Sequence, residues 1–231
     1  MLLNFREISG LRGHGGRRLR PGLLFRAGAV RDPVHALAMR DRGIRQVYDL
    51  RNRTEAARHP SALPGAGLAH PLAHHDIDTG AAVKLLRHAG ATPEASHAAM
   101  VALYRQLAVE FRPVLSAILT GMSGAEGGVL IHCAVGKDRT GVAVALLLRL
   151  LGVAPEEVLA DYLTSNAARA GIAASILHRY PGRWQADDPV LAPLLTADAA
   201  YLDAFFQTAG PVESYGLDDA VIAGLCARFL H

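Results

Sequence analysis

The stretch that most constrains this chain runs from Val129 to Gly152. Val129-Leu130-Ile131-His132 is a short apolar run of the kind found in a buried strand. From Arg139 to Leu151 the sequence is again apolar and stops at Gly152, a natural C-terminal end for a helix. Between them lies Cys133-Ala134-Val135-Gly136-Lys137-Asp138. A buried strand that passes through a tight loop into a buried helix needs further strands and helices to cover it.

The rest of the chain supplies them. Leu23-Leu24-Phe25-Arg26 reads as a strand, Pro33 to Arg42 as a helix ending at Gly43. Ile44 to Leu50 alternates like a strand and delivers Asp49 and Arg51 at its carboxyl end. Residues 4–22 are rich in Gly and Arg and read as loop. Residues 60–80, with Pro60, Pro64, Gly65, Gly67 and Pro71, read as irregular. Two or three helices are expected between Ala81 and Leu119, the longest near Ala95 to Val109, and residues 74–110 are a candidate lid. Pro155-Glu156-Glu157 opens another helix, and helical patterns return at Ala197–Thr208 and Asp218–Leu230. Strands interleaved with helices predict an α/β layered fold, and with no repeat or low-complexity linker residues 1–231 read as one domain.

Composition narrows the function classes. A chain that is 51% hydrophobic and 19% charged folds rather than staying disordered. A net charge of +3 suits an anionic substrate, but without aromatics among the basic residues it is no nucleic-acid signature. Arg12, Arg17, Arg18 and Arg20 could meet anionic lipid headgroups in a membrane contact, although such charges in a Gly-rich loop are usually just solvated. Cys133 and Cys226 form no disulfide framework, and Cys226 falls in the apolar stripe of the last helix. The N-terminus reaches charge at Arg6, too early for a signal peptide, and the longest apolar run, Gly141 to Leu148, is too short for a bilayer. A cytoplasmic protein is expected.

The loop itself has a chemical logic. A strand end fixes Cys133 where successive backbone N–H groups can curl round one point, and the helix behind adds free N–H groups and the positive end of its dipole. This makes an anion cradle from Ala134, Val135, Gly136, Lys137 and Thr140 that needs no cofactor, and the same field favours the thiolate of Cys133. Arg139 can grip two phosphate oxygens with its planar fork. Gly136 permits the curvature, Thr140 can hydrogen-bond the sulfur, and His132 supports the loop. Thiolate attack, a cysteinyl-phosphate and hydrolysis would follow. A nucleotide P-loop fits poorly, because Gly136-Lys137 is followed by Asp138 rather than Ser or Thr.

His132-Cys133-Ala134-Val135-Gly136-Lys137-Asp138-Arg139-Thr140-Gly141 resembles the signature of the bacterial tyrosine phosphatases, of mycobacterial and listerial type, that also act on phosphoinositides. Asn4-Phe5-Arg6 and Leu24-Phe25-Arg26-Ala27-Gly28 resemble that family's opening segments. Val47-Tyr48-Asp49-Leu50-Arg51, followed by Glu55 and Pro60, resembles its Asp-Leu-Arg segment, and Asp161-Tyr162-Leu163-Thr164-Ser165-Asn166 its Asp-Tyr-x-x-Ser-Asn helix. Tyr201-Leu202 and Tyr215-Gly216-Leu217 match its tail more loosely. The resemblance implies a cysteine-phosphatase fold, a central, mostly parallel sheet flanked by helices, acting on a phosphorylated protein or a phosphoinositide. Two departures are Ala27, where Ser is usual, and a shortened segment around 180–200. A catalytically silent phosphate-binding module is the rival reading, and it would need a damaged loop.

A leaving alkoxide or phenolate needs a proton, so an acid must stand near Cys133. No Asp occurs between Asp78 and Cys133, and the window Pro93 to Leu103 holds only Glu94. Asp138 is therefore the first candidate, in line with its counterpart in the resembling family, and Asp49 the second. Asp49 and Arg51 are also expected to bind substrate, and Lys137 to meet a second phosphate, as on an inositol ring. His70, His74, His75, Asp76 and Asp78 crowd together, but their spacing matches no metal-ligand set, and no metal is expected.

Overall fold

Strand residues point alternately to the two faces of a sheet, and here both faces are apolar, so both must be covered. A computed structural model of the chain describes residues 2–68, 91–179, 182, 184–211 and 215–231. Four strands form one sheet: β1 Arg6–Glu7, β2 Leu24–Ala27, β3 Ile44–Asp49 and β4 Gly128–His132. Their order is β1-β2-β4-β3; β2, β4 and β3 are parallel and β1 runs antiparallel at the edge. Leu24, Tyr48, Val129 and Ile131 face one core, while Phe25, Val47 and Leu130 face the other.

In chain order the helices are α1 Pro33–Asp41, α2 Arg53–Arg58, α3 Pro93–Glu110, α4 Arg112–Ser123, α5 Asp138–Leu150, α6 Pro155–Leu163, α7 Arg169–Arg179, α8 Ala192–Leu195, α9 Ala199–Ala209 and α10 Asp219–Phe229. Ala36 and Met39 of α1 pack on the second core. Buried residues of α3, α4, α5, α6, α9 and α10 fill the first, with α5 at its centre because its whole circumference is apolar. This is the α/β arrangement that the resemblance implies: a mostly parallel sheet flanked by helices. None of the described helices is long and apolar enough to cross a membrane.

Where sequence and structure differ, local cues were weak. Arg6–Glu7, expected as loop, is the edge strand. Residues 10–20 are fastened to the chain's end, through a Leu19–Leu230 bridge and bonds between Arg18 and His231 and from Arg20 to Phe229. The short α2 and α7 were not anticipated. The helix expected near 95–109 is α3, whereas the rest of the candidate lid and the His70–Asp78 cluster lie outside the described residues.

Candidate active site

The three parallel strands end side by side. Ala27 and Asp49 both pair with His132, so the chain segments after β2, β3 and β4 emerge together at one edge. Carboxyl ends of parallel strands are where α/β folds bind ligands. Cys133 follows β4 there and is 2% exposed.

The loop from Ala134 to Lys137 is drawn taut by its carbonyls. Ala29 N–H donates to the Ala134 carbonyl at 3.1 Å. The Gly136 carbonyl accepts from Asn4 Nδ2 at 2.7 Å and from Arg26 Nη2 at 3.0 Å. Gly136 has φ +73°, and a Cβ there would lie 2.4 Å from the Ala27 carbonyl oxygen, so only glycine fits. With the carbonyls turned out, no N–H of residues 134–137 donates a hydrogen bond among the described residues. The N-terminus of α5 behind them has no side-chain cap. These unpaired donors are what an anion would satisfy.

Behind the loop sits a buried charge cluster. Arg26 Nη1 donates to Asp161 Oδ2 at 2.7 Å, and Arg6 Nε donates to Asp161 Oδ1 at 2.9 Å. Arg6 Nη1 also donates to Asn4 Oδ1, and both arginines reach Ser165 Oγ at 3.4 Å. Burial pulls the Arg26 guanidinium below its ordinary range, against the attraction of Asp161. Every one of these residues lies in a segment that resembles the bacterial phosphatases, yet the sequence assigns none of them a role. The available signal was Arg26 itself, a charge inside an otherwise apolar strand.

Arg139 lies on the other side. Its Nη1 donates to the Leu50 carbonyl at 3.0 Å, and Nη1 and Nη2 grip Glu55 Oε2 and Oε1 at 2.5 and 2.9 Å. These bonds use three of five N–H donors and leave the Nε–H and one Nη2–H as a side-on fork. Burial alone would lower the guanidinium's affinity for its proton; the Glu55 carboxylate and the Cys133 and Asp138 charges outweigh it and raise it. Glu55 is fixed by a capping box with Asn52 at the start of α2. Sequence reasoning gave it no role: Glu55 entered only with the segment that resembles the bacterial phosphatases, and the Asn52-x-x-Glu55 spacing of a capping box was the signal available.

Three expectations need correcting. Lys137 does not face the anion position: it is fully buried, and its ammonium donates to the Leu194 and Thr196 carbonyls at 2.7 and 2.9 Å and lies 3.2 Å from Asp138 Oδ1. Its three donors are thus all taken. Thr140 Oγ1 has no hydrogen-bond partner among the described residues, so the expected bond to sulfur is not made. Arg51, 2% exposed, is turned onto Asp49 by bonds of 2.6 to 3.0 Å and onto the His59 carbonyl at 2.6 Å. The pair is closed on itself rather than open to substrate. Burial opposes ionisation of Asp49, but Arg51 and the neighbouring His132 win and hold its carboxyl down at about 2. A carboxyl so ionised is a poor proton donor, which ranks Asp49 behind Asp138 as the acid.

Asp138 opens α5 and is partly exposed. Tyr104 of α3 donates to its Oδ1 at 2.8 Å. Glu94 stands exposed in the first turn of α3. Cys226 is half-buried on α10, and burial pushes its thiol up despite Arg17.

A mostly parallel sheet whose strand ends carry an anion cradle with Cys133 and Arg139 upon it is the build of a phosphatase. The chain belongs to the tyrosine phosphatase family, whose sequence model matches residues 1–225. It is 35% identical to a Cupriavidus necator protein whose name assigns it provisionally to the tyrosine-protein phosphatases, over 94% of this chain and 81% of that one. It is 31% identical to the triple specificity protein phosphatase PtpB of Mycobacterium tuberculosis, over 92% of this chain and 87% of that one. A shorter match, 50% identical over 40 residues, is to a tyrosine-protein phosphatase of Nostoc commune.

Proposed function

We propose that this phosphatase hydrolyses phosphotyrosine in proteins through a cysteinyl-phosphate intermediate. The observation that carries the reading is the loop after β4: its carbonyls are tied outward, its N–H groups are left without partners among the described residues, and Cys133 stands at its start. A phosphoryl group seated there takes the N–H groups of the loop and the side-on fork of Arg139. The Cys133 thiolate attacks phosphorus, the ester P–O bond breaks, and the departing oxygen takes a proton from Asp138. Water then gives one of its own protons to Asp138 as it attacks the cysteinyl-phosphate, the P–S bond breaks, and inorganic phosphate leaves. The intact Cys133, Asp138 and Arg139 speak against a silent phosphate-binding module.

Within this reading Lys137 bears on the substrate. A phosphoinositide offers further ring phosphates, and the loop lysine expected to meet one is held by Leu194, Thr196 and Asp138. That removes the expected contact to a second phosphate and favours a substrate with a single phosphoryl group. The test is turnover of p-nitrophenyl phosphate, of phosphotyrosyl peptides and of phosphoinositide vesicles by the wild type and by Cys133→Ser. Phosphopeptide turnover that disappears in the variant supports the reading. Activity that survives Cys133→Ser would refute the cysteine mechanism, and a clear preference for phosphoinositides would reverse the substrate order.

A further inference from the structure

The mechanism above uses Asp138 but leaves unexplained how a partly exposed carboxyl at the tip of a helix is aimed. Tyr104 is fully buried on α3, and its hydroxyl lies 2.8 Å from Asp138 Oδ1 and 2.7 Å from the hydroxyl of Tyr162 on α6. The Tyr104 hydroxyl donates to Oδ1, so its proton points at Asp138. Tyr104 then accepts from Tyr162. The chain has one consistent direction, from Tyr162 through Tyr104 to the loop carboxylate. The rings of Tyr104 and Tyr162 meet edge to face, Tyr201 also packs on Tyr104, and both phenols are buried, which restricts their movement.

We propose that Tyr104, backed by Tyr162, is the positioning residue for Asp138, acting through the carboxylate and touching no substrate atom. The proposal rests on Asp138 as the proton donor. Tyr104 and Lys137 both approach Oδ1. Oδ2 has no partner among the described residues, so the proton is carried and returned on Oδ2, with the carboxyl plane fixed from behind. Burial and the Asp138 charge raise the Tyr104 phenol well above its ordinary range, which keeps it a donor wherever the enzyme works.

The experiment is a leaving-group series, from p-nitrophenyl to alkyl phosphates, run on Tyr104→Phe, Asp138→Asn and the double variant. Asp138→Asn should slow alkyl esters roughly 100-fold or more and p-nitrophenyl phosphate far less. Tyr104→Phe should repeat that slope more weakly, about tenfold on alkyl esters with KM unchanged, and should cost nothing further in the double variant. A steep slope for Asp138→Asn with a flat one for Tyr104→Phe, or losses that multiply in the double variant, overturns the positioning role and leaves the acid assignment standing. A flat series for Asp138→Asn overturns the acid assignment and this proposal with it. Should Tyr104→Phe fail to fold, Tyr162→Phe breaks the same chain one bond further away and is held to the same two criteria.

Discussion

Two buried arginines flank the loop, each paired with a carboxylate, and they are built for opposite purposes. Arg26 lies behind the loop, 0% exposed; its terminal nitrogens are bonded to Asp161, Ser165 and the Gly136 carbonyl, and burial pulls its pKa down. Arg139 lies at the front, tied by its end-on nitrogens to Glu55 and Leu50 with its side-on fork left over, and its pKa is pushed up. The difference teaches that an arginine–carboxylate pair is not a function. Arg26 has its end groups turned on the protein itself and holds a shape, whereas Arg139 keeps two donors for a ligand.

The sharpest break of that comparison is Arg139→Lys. Lysine keeps the charge but can neither hold Glu55 end-on nor offer the side-on pair, so kcat/KM on p-nitrophenyl phosphate should fall by about 10³-fold or more while thermal stability changes little. Near-native turnover would mean that Arg139 is not the phosphoryl clamp.

Arg26→Met should do the reverse. It leaves the largely buried Asp161 with Arg6 alone and the Gly136 carbonyl with Asn4 alone, at a cost of about 3 kcal/mol in urea unfolding. An unchanged stability would demote the rear cluster to surface decoration.

How far the sequence carries one depends on which of these two arrangements is read. Cys133, Gly136 and Arg139 are contiguous, and a buried strand, a Cys-x5-Arg loop and a buried helix announce themselves in order, so the cradle was legible at once. Asn4, Arg26, Glu55 and Asp161 are far apart in the chain and meet only because β2, β3 and β4 end at one edge. No spacing rule connects them. Lys137 misled for the same reason: a lysine in a phosphate loop is expected to point inward, and only the fold reveals the Leu194 and Thr196 carbonyls that draw it away. Helix limits came within a few residues wherever a proline or glycine marked them, as at Pro33, Pro155 and Gly152, whereas the short α2 carried no apolar period to detect.

A third pair sharpens the contrast through pH. Asp49, closed on Arg51, has a folded pKa of about 2 against 3.8 for an ordinary aspartate. A depressed folded value means the stabilisation is fully present above the unfolded pKa and is lost as pH falls from about 4 through about 2. It amounts to about 2 kcal/mol. Asp49→Asn should therefore flatten the acid limb of the stability curve in that window without altering the leaving-group dependence of turnover. An acid limb unchanged in the variant would show that the pair contributes nothing to it.

The smallest and most discriminating effect is expected at Glu55. If Glu55 aims Arg139, removing its charge should misalign the fork without disturbing the loop, the nucleophile or the sheet. Glu55→Gln is suited to the purpose, because glutamine can still reach the Asn52 N–H and so preserves the capping box that starts α2. What it cannot do is receive both end-on donors of Arg139, since its own amide group is a donor. One of the two bonds, at 2.5 and 2.9 Å, must be lost, and the fork gains freedom to rotate. The expected result is about a tenfold fall in kcat/KM, with a parallel loss of affinity for inorganic phosphate as an inhibitor and an unchanged melting temperature. A fall in melting temperature with kcat/KM preserved would place Glu55 with Asp161, as a carboxylate that holds the fold. A tenfold loss of phosphate affinity at constant stability would place it with Arg139, as half of the arm that holds the substrate.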